Sequence, residues 1–390
     1  MKITRLLISV ATASLCAAAP LSAAAKVDTA PAQTGETARI TSDAPLKIQV
    51  ALLLDTSNSM DGLISQAKSQ LWMLVNELGD GEKGGAKPQI ELGLYEYGNS
   101  GLSVGKGYIR QVVALTTDLD DVSEKLFALG TNGGEEYAGQ VITAALDELD
   151  WSENPDDMKL VIIAGNEPFT QGPVSFESAC ARAQRKGVII DTIHCGDEQV
   201  GINTKWKAGA DCGGGVYMTI NQDEKAVYVA SPYDEDILKL NKKLNDTYIG
   251  YGREGREKKE RQAVQDSNAG NMSMKSAISR TKSKASAQYK NESWDVVDGF
   301  EADAEKILSL PEAELPEEMK GMDKEARTAF IAAKKAERET IRAEINALQA
   351  LQKTYVAKKK AEMAKTRTMD EVVVTAVRAQ AEKSGFEFKE

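Results

Sequence analysis

Between Leu46 and Gly250 the chain alternates short runs of Val, Ile and Leu with longer stretches whose apolar residues recur at spacings of three and four. A segment apolar at nearly every position suits a strand buried on both faces. The intervening periodicity suits helices that lay one apolar stripe on those faces. The expected fold class is therefore α/β, a doubly wound, Rossmann-like domain with a mostly parallel six-stranded sheet. The strand candidates are Ile48–Leu54, Ile90–Tyr97, Ile109–Leu115, Leu160–Ala164, Val188–Ile193 and Val216–Ile220. Leu63, Ala67, Leu71, Leu74 and Leu78 mark one helix face, and Tyr137, Val141, Ala144 and Ala145 another. Ser175 is placed to cap a helix running to about Lys186. Ser231-Pro232, followed by Asp234 and Glu235, reads as a cap, a preset φ and favourable first-turn charges.

What flanks this region differs in kind. Lys2 and Arg5, the apolar run from Leu6 to Ala19 and the small residues up to Ala25 have the layout of a secretory signal peptide over residues 1–25. A retained membrane anchor is the competing reading of the same segment. Bulky Leu15 argues against a lipid anchor on Cys16. Residues 26–45 are polar, with Pro31, Gln33 and Gly35, and are expected to form a disordered leader. Removing residues 1–25 takes away two basic and no acidic residues, so the net charge moves from −11 to −13. A nucleic-acid partner is thereby disfavoured, because phosphate binding needs a concentrated basic face. No later stretch is apolar enough to span a bilayer, so no transmembrane segment is expected in the mature chain. The expected location is the periplasm, the cell envelope or the outside of the cell.

Residues 251–390 read as a helical extension. A charged run covers Arg253 to Arg261, and a polar helix candidate covers Met272 to Tyr289. Pro311 and Pro316 act as breakers, and a long helix is expected over about 323–365. Ile341, Ile345, Leu348 and Tyr355 trace a partial heptad seam that Gln352 interrupts. Two uses of that stripe stay open: packing against another part of the chain, or a coiled-coil-like surface through which the protein oligomerises. A short terminal helix over Asp370 to Phe388 would have Val372, Val373, Val374 and Val377 to bury.

The chemistry concentrates where the first strand ends. Val50-Ala51-Leu52-Leu53-Leu54 runs directly into Asp55-Thr56-Ser57-Asn58-Ser59, and a helix follows from Asp61 or Gly62. In open α/β sheets ligands bind beyond the carboxyl ends of the strands. Asp55, Ser57 and Ser59 offer one carboxylate and two hydroxyls there, a donor set suited to a hard divalent cation that keeps open positions. Capping of the following helix is the simpler use of the same residues.

Strand, Asp-x-Ser-x-Ser turn and amphipathic helix together resemble the metal-ion-dependent adhesion site of von Willebrand factor A domains, over about Leu46 to Gly250. The resemblance implies a bound Mg, Mn or Ca ion. It implies a threonine from a second loop, best matched by Thr131 in Gly130-Thr131-Asn132-Gly133-Gly134, and an acidic group of a protein partner as the last ligand. It also implies an aspartate after the fourth strand, where this chain has Asn166. An amide brings no negative charge, so the departure weakens the site unless Glu135, Glu136 or Glu167 compensates. The wider segments Gly165–Pro173 and Ile193–Asp197 are similar to an exported bacterial subgroup of A-domain proteins.

Cys180, Cys195 and Cys212 remain once residues 1–25 are removed. Cys180 near the start of a crossover helix and Cys195 at the end of a strand should share the carboxyl edge of the sheet. A Cys180–Cys195 disulfide is therefore expected, with Cys212 an ordinary buried thiol at the opposite edge. His194 is the sole histidine, which excludes zinc sites built from several imidazoles. Gly213-Gly214-Gly215 and Gly133-Gly134 fit neither a Walker loop nor a dinucleotide fingerprint.

No catalytic constellation emerges, so an enzyme is not expected. The reading reached from residues and resemblance is a cation-dependent protein-binding module of the cell envelope, serving in adhesion or as a scaffold. A metal-assisted hydrolase with a base among Glu135, Glu136 and Glu167, or an envelope protein acting through its helical extension, are the alternatives.

Overall fold

The computed structural model describes residues 45–220, 228–362 and 369–388. The expected signal segment and nearly all of the leader lie outside the described residues. In chain order the main elements are β1 (Lys47–Asp55), α1 (Asp61–Asp80), β2 (Gln89–Tyr97), β3 (Ile109–Thr116), α2 (Leu119–Phe127), α3 (Ala138–Glu148), β4 (Met158–Gly165), α4 (Phe176–Lys186), β5 (Ile189–Cys195), α5 (Glu198–Asn203), α6 (Trp206–Gly213) and β6 (Gly214–Ile220). They are followed by α7 (Asp234–Asp246), α8 (Gly255–Met272), α9 (Met274–Ala285), α10 (Val296–Ala302), α11 (Ala304–Leu308), α12 (Lys324–Glu362) and α13 (Met369–Lys383).

The six strands form one sheet in the order β3-β2-β1-β4-β5-β6. Every neighbouring pair is parallel except β2 with β3, which is antiparallel and carries register irregularities. This is the 3-2-1-4-5-6 order of a doubly wound fold, and β1 sits at its centre. The period-2 alternation of β1 divides the core. Ile48, Val50, Leu52 and Leu54 face α1 and α2, whereas Ala51 and Leu53 face α3, α4 and α6. Ser175 caps α4 as expected, its hydroxyl accepting from Ser178 N. The helix expected after Ser231-Pro232 begins at Asp234, whose carboxylate accepts from Ser231 N at 2.8 Å.

The helices beyond Gly250 return to the sheet domain. α13 and the segment after it complete the layer over one sheet face: Val373, Ala376, Val377 and Ala381 of the helix, with Phe386 beyond it, are buried with Leu74, Leu78, Ile193 and Ile220. α9 lies along α1, where Asn76 Nδ2 donates to Ser279 O and Ser283 Oγ donates to Asn76 Oδ1. In α12 the partial heptad stripe is used inside the chain, because Ile341 and Ile345 pack with Leu240, Leu244, Tyr248, Tyr289 and Trp294. Arg338 of α12 is buried and bonded to Asp295, Asp298 and Thr247, which fixes α12 to α10 and to the end of α7. Among the described residues no helix is long and apolar enough to cross a membrane.

The cysteine expectation is corrected. Cys180 pairs with Cys212, their Cα atoms 5.8 Å apart, and Cys195 is a buried free thiol. Two geometric facts account for this. Cys195 belongs to the β5 side chains that face α1 and α13, on the other side of the sheet from α4. α6 has only 8 residues, so Cys212 does not reach the far edge. It lies about 9 Å along the axis from Trp206, level with the second turn of α4.

Candidate functional site

The parallel strands bring β1, β4 and β5 to a common carboxyl edge, and the loops that leave them, with the loops after β2 and α2, surround Asp55. The residue itself is fully buried. Ser57 N donates to Asp55 Oδ1 at 2.8 Å, which closes the turn between β1 and the helical segment that begins at Asn58. Asp55 Oδ2 is buried and has no hydrogen-bond partner among the described residues. Ser57 Oγ and Ser59 Oγ lie 3.3 Å apart, and Asn166 Nδ2 donates to Ser59 Oγ at 3.1 Å. That bond leaves Asn166 Oδ1, a second buried oxygen without a partner among the described residues.

Four of the residues singled out by sequence, Asp55, Ser57, Ser59 and Asn166, are thus linked in one cluster. Thr131 is placed beside it differently. Its hydroxyl donates to Asp61, the first residue of α1, while Asn132 N donates to Thr56 O at 2.9 Å and holds the loop against the β1 turn. Asp61 was legible only as a helix start; its pairing with Thr131 carries no local signal.

The three accessory glutamates separate clearly. Glu135 and Glu167 are exposed, and Gln171 Nε2 donates to Glu135 Oε2 at 3.3 Å. Glu136 is buried beside Asp55. Gly98 marks how close they are, because a Cβ placed on it would stand 2.8 Å from both Asp55 Oδ1 and Glu136 Cγ. With φ at +79°, Gly98 occupies a left-handed conformation that also favours glycine, so no side chain separates the two carboxylates. Gln171 Oε1 accepts from Glu136 N at 3.0 Å and ties this loop to the one after β4.

Burial pushes the Asp55 carboxyl up to about 6, against the pull of the Ser57 hydrogen bonds and with a further push from Glu167. Burial likewise pushes Glu136 up to about 7, assisted by the charges of Asp55 and Glu167. Neither carboxylate has an ion-pair partner among the described residues. The arrangement is therefore a cluster of oxygen acceptors with surplus negative charge, two of whose oxygens are desolvated and unpaired. Such atoms are costly to bury unless something positive or hydrogen-donating meets them. The donor set, carboxylate, hydroxyl and amide oxygen, fits a hard divalent cation, and no imidazole or thiolate takes part.

His194 and Cys195 do not form a catalytic pair. Their side chains leave β5 on opposite faces: His194 packs on Trp206, and Cys195 lies in the other core layer. Burial raises the Cys195 thiol far above its ordinary range, so it is held protonated.

No family model and no curated protein sequence matches the chain. Solved structures similar to it include the SpRpn10 VWA domain, at 16% identity over 46% of this chain and 91% of that chain, with a TM-score of 0.36. The conserved hypothetical protein BatB from Bacteroides thetaiotaomicron is similar at 16% identity over 44% of this chain and 90% of that chain, with a TM-score of 0.34. The proximal thread matrix protein 1 from mussel byssus, with a zinc-occupied MIDAS motif, matches at 15% identity over 46% of this chain and 43% of its own, with a TM-score of 0.33. The region from Lys47 to Ile220 is thus a doubly wound α/β domain, with helices on both faces of its sheet and the Asp-x-Ser-x-Ser turn at the carboxyl end of the central strand.

Proposed function

We propose that the chain is an exported, divalent-cation-dependent protein-binding module of the cell envelope, in which the Asp55 cluster holds Mg, Mn or Ca and captures an acidic group of a partner protein. One observation carries the reading: Asp55 Oδ2, a fully buried carboxylate oxygen, lacks a hydrogen-bond partner among the described residues, in a cluster that also holds the Ser57 and Ser59 hydroxyls and the unpartnered Asn166 oxygen. Asp55, Ser57, Ser59 and Asn166 would hold the ion, and Thr131 with Asp61 would brace the loop beside it. The ion would supply a point of positive charge on which a partner's carboxylate completes the donor set. The export assignment rests on the sequence of residues 1–25. The A-type domain is taken as residues 46–250, with 251–390 as the helical extension.

Calorimetric titration of the full mature chain with each of the three ions tests the site, with Asp55→Ala as the control. Crosslinked pull-down from envelope extracts, with and without chelator, tests the binding role. A partner set unchanged by chelator and by Ser57→Ala removes the adhesive role. Phosphoester turnover that Asp55→Ala abolishes would replace it with metal-assisted hydrolysis.

A further inference from the structure

We infer that Glu136 is a further cation-holding residue of the Asp55 site, supplying the second negative charge that Asn166 does not bring. The inference rests on the cation reading above and selects one glutamate of three. Glu136 Cγ and Asp55 Oδ1 both lie 2.8 Å from the point where a Gly98 side chain would begin, so they are no more than twice that distance apart. Both residues are buried, at 0% exposure for Asp55 and 8% for Glu136. No lysine, arginine or histidine pairs with either among the described residues.

Two carboxylates brought together away from water without a counterion repel each other, and the fold must be holding them there. Three contacts do so. Gln171 accepts from the Glu136 backbone, Asn132 N bonds to Thr56 O, and Gly98 leaves its bare α-carbon between the two acids. The remaining candidates are not desolvated with Asp55, since Glu135 and Glu167 are both exposed and Glu135 is bonded to Gln171, although the Glu167 charge is felt at the site. The second, independent sign of a ligand is the unpartnered Asp55 Oδ2, fully buried in the same cluster. A divalent ion relieves the repulsion and satisfies that oxygen together, whereas an amide at position 166 leaves only one charge on the Asp55 side.

The test uses the full mature chain and Mn²⁺ alone, read by calorimetry and by the electron paramagnetic resonance of free Mn²⁺. Glu136→Gln should weaken Mn²⁺ binding by roughly 10- to 100-fold, the effect expected when a supporting group of a metal site is lost. Glu135→Gln and Glu167→Gln should stay within about threefold of wild type, and adding Asn166→Asp to Glu136→Gln should restore most of the lost affinity. The metal-free melting temperature gives a readout that a structural role would not produce. Glu136→Gln should leave it unchanged or raise it, because the substitution removes repulsion while it lowers affinity. Glu136→Asp, which keeps the charge, should bind more tightly than Glu136→Gln and serves if the amide variant misfolds. Wild-type affinity in Glu136→Gln overturns the inference and spares the cation reading. Absence of Mn²⁺ uptake by the wild-type chain overturns both.

Discussion

Arg280 on α9 donates from Nη1 to Asp120 Oδ1 on α2 at 2.6 Å, and both side chains are almost wholly buried. The guanidinium also lies over Trp72 of α1, 4.7 Å from the ring centroid, and its Nε donates to Asp266 of α8 at 2.5 Å. One side chain thus binds the helical extension to two helices of the sheet domain. Removing one partner of a buried charge pair strands the other, at a cost of roughly 3 to 5 kcal/mol. Arg280→Met should lower unfolding free energy by about that amount in urea titrations. Asp266 keeps Lys284 as a partner, so a loss below about 1 kcal/mol would mean that Asp120, left with the Tyr289 hydroxyl, takes up a proton.

Val377 on α13 is fully buried against the sheet face. Val377→Asp places an unpaired charge among apolar neighbours and should release α13, exposing Leu74, Leu78 and Ile220. Binding of a hydrophobic dye and rapid amide exchange in α1 are the expected signs, and protection equal to wild type counts against the packing described.

Cys180 and Cys212 close a loop with a sequence separation of 32. Peptide mapping without reductant should recover that pair and find Cys195 alkylated only after unfolding. In the chain-entropy account such a loop contributes about 4 kcal/mol, so the double variant Cys180→Ser, Cys212→Ser should be destabilised by a similar amount or less. Cys195→Ser should leave the disulfide intact.

Asp191 is a buried acid remote from the candidate site. Its Oδ1 accepts from Val216 N at 2.7 Å and from Gln380 Nε2 of α13 at 3.3 Å, while Oδ2 has no partner among the described residues. Burial pushes its carboxyl up to about 6, opposed by the Val216 and Gln380 hydrogen bonds and the charge of Lys383. A carboxyl with a higher value folded than unfolded binds more protons in the native state. Its contribution is fully present below about pH 4 and is lost as pH rises to about 6. On the order of 3 kcal/mol is at stake. Stability measured from pH 4 to pH 7 should fall more steeply in wild type than in Asp191→Asn, and parallel curves would contradict the assignment.

If the Asp55 cluster holds a divalent ion, the ion binds the folded chain alone and must stabilise it by mass action. At a hundredfold excess over the dissociation constant the gain is about 2.7 kcal/mol. Thermal unfolding with and without Mg²⁺ or Mn²⁺ should show the shift in wild type and none in Asp55→Ala.

The parts of this fold that were legible in sequence are those in which neighbouring residues share one environment. Ile48–Leu54 reads as a doubly buried strand because every side chain in it is buried, all but Gln49 in one of the two cores, and Ser175 reads as a cap because its bond to Ser178 N is local. The Asp55 turn was legible for the same reason. What sequence concealed depends on long-range placement. The Cys180–Cys212 pairing follows from the shortness of α6 and from which face of β5 carries Cys195. The singling out of Glu136 from Glu135 and Glu167 depends on Gly98, a residue from another loop whose meaning is visible only in three dimensions. The Ile341 and Ile345 stripe showed that something must cover it, and only the fold shows that Leu240, Leu244 and Trp294 do.

The seating of α13 against β5, β6 and α1 has a consequence for biosynthesis. Ile220 precedes Ala381 in the chain, so a polypeptide delivered amino end first, whether from a ribosome or across a membrane, holds a sheet with one wall open until α13 arrives. Nascent molecules stalled between those two points should be clients of chaperones and easy prey for proteases, whatever the final product's durability.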